Sequence, residues 1–123
     1  MEKIIQEAKD EYKKYLSIFC PYISQEISFT SSGFKHMLWK SNGTPRSSGI
    51  IKERLAALKF VKDILSKSGT LQEYEKLGNR DFFAFIAIVE DKKYKVVVTK
   101  YNTDKYKFVS VIPKWKTGIR DDV

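Results

Sequence analysis

The stretch FFAFIAIVEDKKYKVVVTKYNTDKYKFVSVI, residues 82–112, decides the fold of this 123-residue chain. Three segments within it, 82–89, 94–101 and 106–112, are rich in the β-branched and aromatic residues that favour strands. Polar turns of four residues separate these segments, and Pro113 ends the last one. The pattern predicts an antiparallel meander of three or more strands. Because segment 82–89 is almost wholly apolar, we expect it to lie centrally and to be buried on both faces.

Helical spacing dominates the beginning of the chain. Apolar residues recur at intervals of three and four, which predicts an amphipathic helix over residues 3–19 that Pro21 would stop. Alternating residues then predict a short strand at 24–30. Ser31 or Ser32 would cap a short helix that follows this strand.

The middle of the chain carries the clearest helical stripe. Residues 41–49 are rich in Gly, Ser, Asn and Pro, which predicts an irregular loop. Apolar residues then repeat with helical spacing, so we expect a central helix over 51–68. The segment 70–73 fits a capping box and predicts a further short helix as far as residue 77. The expected fold class is α+β, with N-terminal helices packed on a C-terminal antiparallel sheet in one domain over 1–123.

The chain is strongly basic. Its 23 lysines and arginines exceed its 15 acidic residues by eight, so a polyanion is the natural partner. Residues 91–123 hold nine of the basic residues and four of the acidic ones. Aromatic residues that would stack on unpaired bases alternate with this charge: Tyr94, Tyr101, Tyr106, Phe108 and Trp115. The alternative is a solvated cationic face whose lysines also protect strand edges from aggregation.

Other features narrow the class of protein. The single cysteine, Cys20, excludes an internal disulfide framework and a zinc site built from cysteines. The acidic residues show no metal-ligand spacing and no nucleotide-binding glycine motif is present, so we expect neither a metal nor a cofactor. Residues 1–20 mix lysines and acids with apolar residues, so neither a signal peptide nor a membrane span is expected. These features favour the cytoplasm, although a toxin released from a larger parent protein would look the same.

The segment GFKHM, residues 33–37, holds the only histidine of the chain. An imidazole titrates near neutrality, so His36 is the side chain best suited to move a proton at physiological pH. Lys35 beside it would lower the pKa of the imidazole by like-charge repulsion and could also face a phosphate. Neighbours on a helix point about 100° apart, so both would reach one phosphate only at a helix end or in an irregular segment. The alternative is a polar histidine on a short helix with no catalytic role.

Arg46 and Arg54 are the candidates for holding a phosphate, because a guanidinium makes permanent, bidentate contacts. Arg46 lies in the predicted loop, whereas Arg54 lies on the predicted central helix, where a solvated surface position is the alternative. Ser110 and Thr99 would hydrogen-bond a phosphate from neighbouring strands, although a hydroxyl in a sheet is often only structural. Further candidate substrate contacts come from basic and aromatic residues of the same region: Lys100, Lys114, Trp115 and Lys116.

In layout and in these residues the chain resembles the superfamily of barnase, EndoU, colicin D and RelE, which are small metal-independent ribonucleases. The resemblance covers residues 25–117, with helices in front, an antiparallel sheet behind, and one histidine after the first long helix. Locally it resembles the catalytic domain of colicin D, a tRNA anticodon-loop nuclease in which a lysine directly precedes the catalytic histidine, as Lys35 precedes His36. That family also has a serine on a late strand followed by a tryptophan, and Ser110 and Trp115 resemble this pair with a wider spacing.

The chemistry that these residues suit is cleavage of RNA by its own ribose 2′-hydroxyl. Such cleavage needs a base near the 2′-hydroxyl, a proton donor for the departing 5′-oxygen, and positive charge around the phosphorus. We therefore expect a metal-independent, toxin-like endoribonuclease, with tRNA as one candidate substrate and an acidic antitoxin or immunity protein as its partner. The alternative is a non-catalytic nucleic-acid-binding or phage accessory domain of the same fold.

Overall fold

The computed structural model describes residues 1–102 and 105–113 and shows an α+β fold. Its elements, in chain order, are α1 (Glu2–Tyr12), β1 (Ser17–Cys20), β2 (Gln25–Ser28), α2 (Ser31–Leu38), α3 (Ser48–Ala57), a 3₁₀ turn (Leu58–Phe60), α4 (Val61–Ser66), β3 (Glu73–Leu77), β4 (Arg80–Val89), β5 (Lys92–Tyr101) and β6 (Tyr106–Ile112). The strands form one sheet in the order β1-β2-β6-β5-β4-β3. Neighbouring strands are antiparallel except β2 and β6, which run parallel. The predicted fold class is confirmed.

The predicted meander is confirmed and extends from β3 to β6. The turn between β4 and β5 has two residues rather than the four predicted, and both Glu90 and Asp91 have the positive φ of a type I′ turn. The expectation that segment 82–89 lies centrally is wrong. Residues 94–99 of β5 form the longest buried run, whereas Ile88 of β4 is 67% exposed. The reason is that β2 joins the meander through β6, which moves the centre of the sheet to β5 and β6.

The predicted helix over residues 3–19 is too long. Helix α1 ends at Tyr12, and Leu16 adopts a positive φ of 54° that no α-helix contains. The chain then forms β1, which pairs with β2 in the predicted strand region. A short apolar run such as SIFC suits a helix or a strand equally, and the available partner strand decides between them.

The predicted helix over residues 70–77 is a strand. Segment β3 pairs with β4 through a tight turn at Gly78 and Asn79, where Gly78 has a φ of +61°. Gly78 therefore makes a hairpin turn where the end of a helix was expected. The central helix also differs from expectation, because it begins at Ser48 and a 3₁₀ turn divides it into α3 and α4.

The helices cover one face of the sheet. The helical stripe contributes Leu55, Leu58 and Val61 to the main core, where they join Phe85 and Val96 from the strands. Alternation along the strands places a smaller buried cluster on the other face: Phe82, Ala84, Val97, Val109 and Ile112.

Helix α2 lies against β6 just beyond the point where the pairing of β2 with β6 ends. Gly33 permits this position, because a Cβ atom there would lie only 2.6 Å from the carbonyl oxygen of Phe108 and 2.7 Å from the hydroxyl of Tyr12. The same Tyr12 hydroxyl donates a 2.7 Å hydrogen bond to the carbonyl of Thr30. One tyrosine and one glycine thus fix the start of α2 against the sheet.

We predict that Gly33→Ala destabilises the protein, because the added methyl group has no room beside the backbone of β6. Overpacking of this kind costs about 1–3 kcal/mol of unfolding free energy. Urea unfolding measures the change, and Gly49→Ala is the matched control, because a Cβ atom at Gly49 meets nothing within 4 Å. Equal stability of the two variants would contradict the tight approach of α2 to β6.

Candidate functional site

A pocket of about 300 Å³ opens where the start of α2 meets the ends of β4, β5 and β6. This volume is at the lower end of the range for small-ligand pockets. The polar residues that line it are Thr30, Ser31, Ser32, His36, Arg80, Thr99, Tyr101 and Lys107. No acidic side chain lines it within residues 1–102 and 105–113, so the described wall is cationic and suits an anion.

His36 lies on α2 and is half-buried in this pocket. Burial lowers the pKa of its imidazole, and the guanidinium groups of Arg80, Arg46 and Arg54 lower it further, in that order. All of these causes disfavour the charged form. The structure therefore holds a neutral imidazole at pH 7, which is the form that can accept a proton.

Arg46 supports the backbone of the histidine. The chain turns after α2, and an isolated bridge between Trp39 and Pro45 returns it to the helix end. Arg46 is buried there, and its Nε donates a 2.8 Å hydrogen bond to the carbonyl oxygen of His36. Arg46, from the predicted loop, thus contacts the main chain of His36, the predicted catalytic residue.

Arg54 and Ser110 meet beneath the pocket. The Nη1 of Arg54 donates a 2.9 Å hydrogen bond to the Oγ of Ser110, and both residues are buried. Ser110 follows a β-bulge, because Val97 pairs with Ser110 while Val98 pairs with Phe108. Arg54 therefore does not lie on a solvated helix face, which was the alternative for it.

Arg80 is a site residue that the sequence analysis missed. Its Nε donates a 3.0 Å hydrogen bond to the Oγ1 of Thr99, which in turn donates to the carbonyl of Asp81 at 2.9 Å. Among the charged groups, Arg80 has the largest effect on the pKa of His36. Nothing in the sequence marks this arginine, because only the register of β4 with β5 brings it to Thr99.

The remaining predicted site residues lie elsewhere. Lys35 is exposed, and it is not among the described residues that line the pocket. Lys100 is half-buried, with its Nζ 5.0 Å from the centre of the Tyr106 ring. Lys114, Trp115 and Lys116 fall outside the described residues.

A larger pocket of about 810 Å³ lies at the opposite end of β4 and β5. Lysines and acidic residues both line it, so their charges offset each other: Glu53, Lys59, Glu90, Asp91, Lys92 and Lys93. The histidine of the chain is not there. For proton transfer near an anion, the smaller pocket around His36 is the better candidate.

No three His, Cys, Asp or Glu side chains come together as a metal site anywhere in residues 1–102 and 105–113. None of the helices in the described part of the chain has the length and apolar character that a membrane crossing requires. The chain matches no protein-family model, no curated protein and no solved structure. Functional assignment therefore depends on the geometry of the pocket.

We predict an NMR titration of His36 with a pKa below its ordinary value of 6.5. His36 is the only histidine, so its imidazole signals are unambiguous. Arg80→Gln should raise this pKa, because it removes the largest charge effect while the burial remains. Lys13→Gln, at the exposed end of α1, removes one positive charge elsewhere and should leave the pKa unchanged. A value at or above 6.5 in the unaltered protein would contradict the electrostatics described.

Proposed function

We propose that this protein is a metal-independent endoribonuclease that cuts RNA through its own 2′-hydroxyl. The observation that carries the proposal is the single imidazole with a lowered pKa, which lies in a cationic pocket beside three guanidinium groups. We propose cytoplasmic RNA as the substrate, with tRNA as one candidate.

His36 acts as the base in this proposal. Its neutral imidazole takes the proton of the 2′-hydroxyl while the 2′-oxygen forms a bond to phosphorus. The bond from phosphorus to the 5′-oxygen breaks, this oxygen takes a proton from solvent water, and His36 returns its proton to the hydroxide that is left. The products are a 2′,3′-cyclic phosphate and a free 5′-hydroxyl.

Arg80 is the residue that we assign to the phosphate. Its Nε is engaged by Thr99, and within the described residues its two Nη atoms form no hydrogen bond, so they are available for phosphate oxygens. These Nη donors would meet the negative charge that develops on the phosphate in the transition state.

In this proposal Arg46 and Arg54 do not hold the phosphate, which is the role that the sequence suggests for them. Each is buried, and each donates to a neighbouring protein group, the carbonyl of His36 or the hydroxyl of Ser110. Their charge acts on His36 from behind the pocket wall. They position the base and keep it neutral, while Arg80 contacts the phosphate.

A non-catalytic RNA-binding or phage accessory domain is the second candidate. It is favoured by the cationic pocket wall itself, because a wall without acidic side chains among the described residues suits a phosphate whether or not cleavage follows. If the protein is a toxin, an acidic antitoxin or immunity protein is the partner that suits its basic surface.

We predict that His36→Ala abolishes cleavage of tRNA in the presence of EDTA and leaves RNA binding nearly intact. Loss of a positioned base costs about 10²–10⁴ in rate. Gel analysis measures cleavage, and the products should end in a 2′,3′-cyclic phosphate. Lys13→Ala, at the exposed residue that follows α1, is the control and should cut at the unaltered rate. If His36→Ala retained more than about a tenth of the rate, outside that range, the base would be another group.

The cleavage rate should depend on pH in the direction that a base with a lowered pKa requires. Protonation inactivates His36, so the rate should rise with pH on the acid side, and the midpoint of this rise should lie below pH 6.5. Arg80→Gln should move this rise to higher pH, because the pKa of His36 increases. The pH profile of kcat/KM for both proteins measures the shift in the free protein, and identical midpoints would exclude His36 as the titrating base.

A further inference from the structure

Among the described aromatic residues of the basic C-terminal third, Tyr101 is the one whose ring is both exposed and in the His36 pocket. Tyr94 and Phe108 are buried, so neither presents a ring face to solvent. Tyr106 is half-buried between Phe83 and the Nζ of Lys100. Tyr101 is 41% exposed, and it lines the His36 pocket.

The position of Tyr101 is fixed by its partner across the sheet. Arg80 and Tyr101 are directly opposite in the register of β4 and β5, and the amide of Asn102 donates to the carbonyl of Asn79 at 3.0 Å just beyond them. The guanidinium of Arg80 lies 4.9 Å from the centre of the Tyr101 ring and 4.6 Å from that of Phe82. The cation thus contacts both aromatic side chains, and the exposed ring stays beside the pocket.

This arrangement brings two kinds of binding group together. The Arg80 guanidinium has free Nη donors, as far as the described residues show, which suit a phosphate. The adjoining ring offers a flat apolar surface that suits a nucleobase. A nucleotide carries both groups, and its base can stack on a protein side chain only when it is unpaired.

We infer that Tyr101 and Arg80 form a subsite for one unpaired nucleobase and its adjoining phosphate. The base lies on the exposed surface of the Tyr101 ring, and the phosphate lies at Arg80 beside His36. The inference rests on the proposed function for the identity of the ligand as RNA. Such a subsite would accept single-stranded RNA and RNA loops and would exclude a continuous RNA duplex.

Binding of a fluorescent RNA tests the subsite. The probe is a short single-stranded RNA containing 2-aminopurine, whose fluorescence falls when the base stacks on an aromatic ring. All variants carry His36→Ala so that the probe stays intact. Stacking on one aromatic side chain is worth about 1–3 kcal/mol, so Tyr101→Ala should weaken binding about 5- to 150-fold and relieve the quenching. Tyr101→Phe should recover most of the affinity, because it restores the ring.

Two controls make the test specific. The same RNA annealed to its complement should bind the Tyr101→Ala protein as it binds the parent, because its bases are paired. Tyr22→Ala removes a tyrosine of similar exposure, 45%, that lies in the turn between β1 and β2 and is not among the described pocket residues. It should leave the affinity for the single strand unchanged. Thermal melting of each variant verifies folding.

The outcomes separate the subsite from the ribonuclease proposal. Unchanged affinity of Tyr101→Ala for the single strand overturns the subsite, and so does an equal loss for single strand and duplex. If the protein with its native His36 cuts no RNA but Tyr101→Ala selectively weakens single-strand binding, the ribonuclease proposal fails and the subsite stands. If the native protein cuts RNA and Tyr101→Ala changes neither affinity nor quenching, the subsite fails and the ribonuclease proposal stands.

Discussion

The close approach of α2 to β6 at Gly33 is the constraint on which the pocket depends. Strand β2 pairs with β6 for only two residues, and α2 then continues alongside β6 in its place. A side chain at Gly33 would separate the two elements and carry His36 away from β5 and Arg80. Tyr12 contributes from the other side, because its hydroxyl bonds the carbonyl of Thr30. Backbone packing, more than any charged contact, therefore determines where the imidazole lies.

The second constraint is the burial of positive charge. A guanidinium removed from water is costly unless it is hydrogen-bonded, and Arg46 and Arg54 each donate to a protein oxygen. The bond of Arg46 joins the segment before α3 to the carbonyl of His36 on α2, and the bond of Arg54 joins α3 to Ser110 on the bulged strand. The same charges add to the effects of burial and of Arg80, which lower the pKa of the imidazole more strongly. Structural support and pKa control are thus properties of the same residues.

Most of the fold could be predicted from the sequence because its strands and longer helices carry strong local patterns. The meander, strand β2, helix α2 and the position of His36 all follow from such patterns. Two predicted helical segments are strands, because short runs such as Ser17–Cys20 and Glu73–Leu77 take their conformation from a partner strand. Arg80 could not be found for a related reason. Its place beside Thr99 and Tyr101 exists only once β4 and β5 are in register.

A neutral histidine surrounded by arginines is ready to accept a proton and has none of the extra proton that an acid would donate. Lowering the pKa of an imidazole makes it a weaker base but leaves more of it unprotonated and ready to accept a proton at the pH of the cell. A phosphate that enters the pocket brings negative charge, which offsets the guanidinium groups and raises the pKa again. The base would therefore strengthen when the phosphate binds. The arginines would lower the pKa of His36 and the bound phosphate would raise it. Proton uptake by His36 would therefore be coupled to the binding of a phosphate in the pocket.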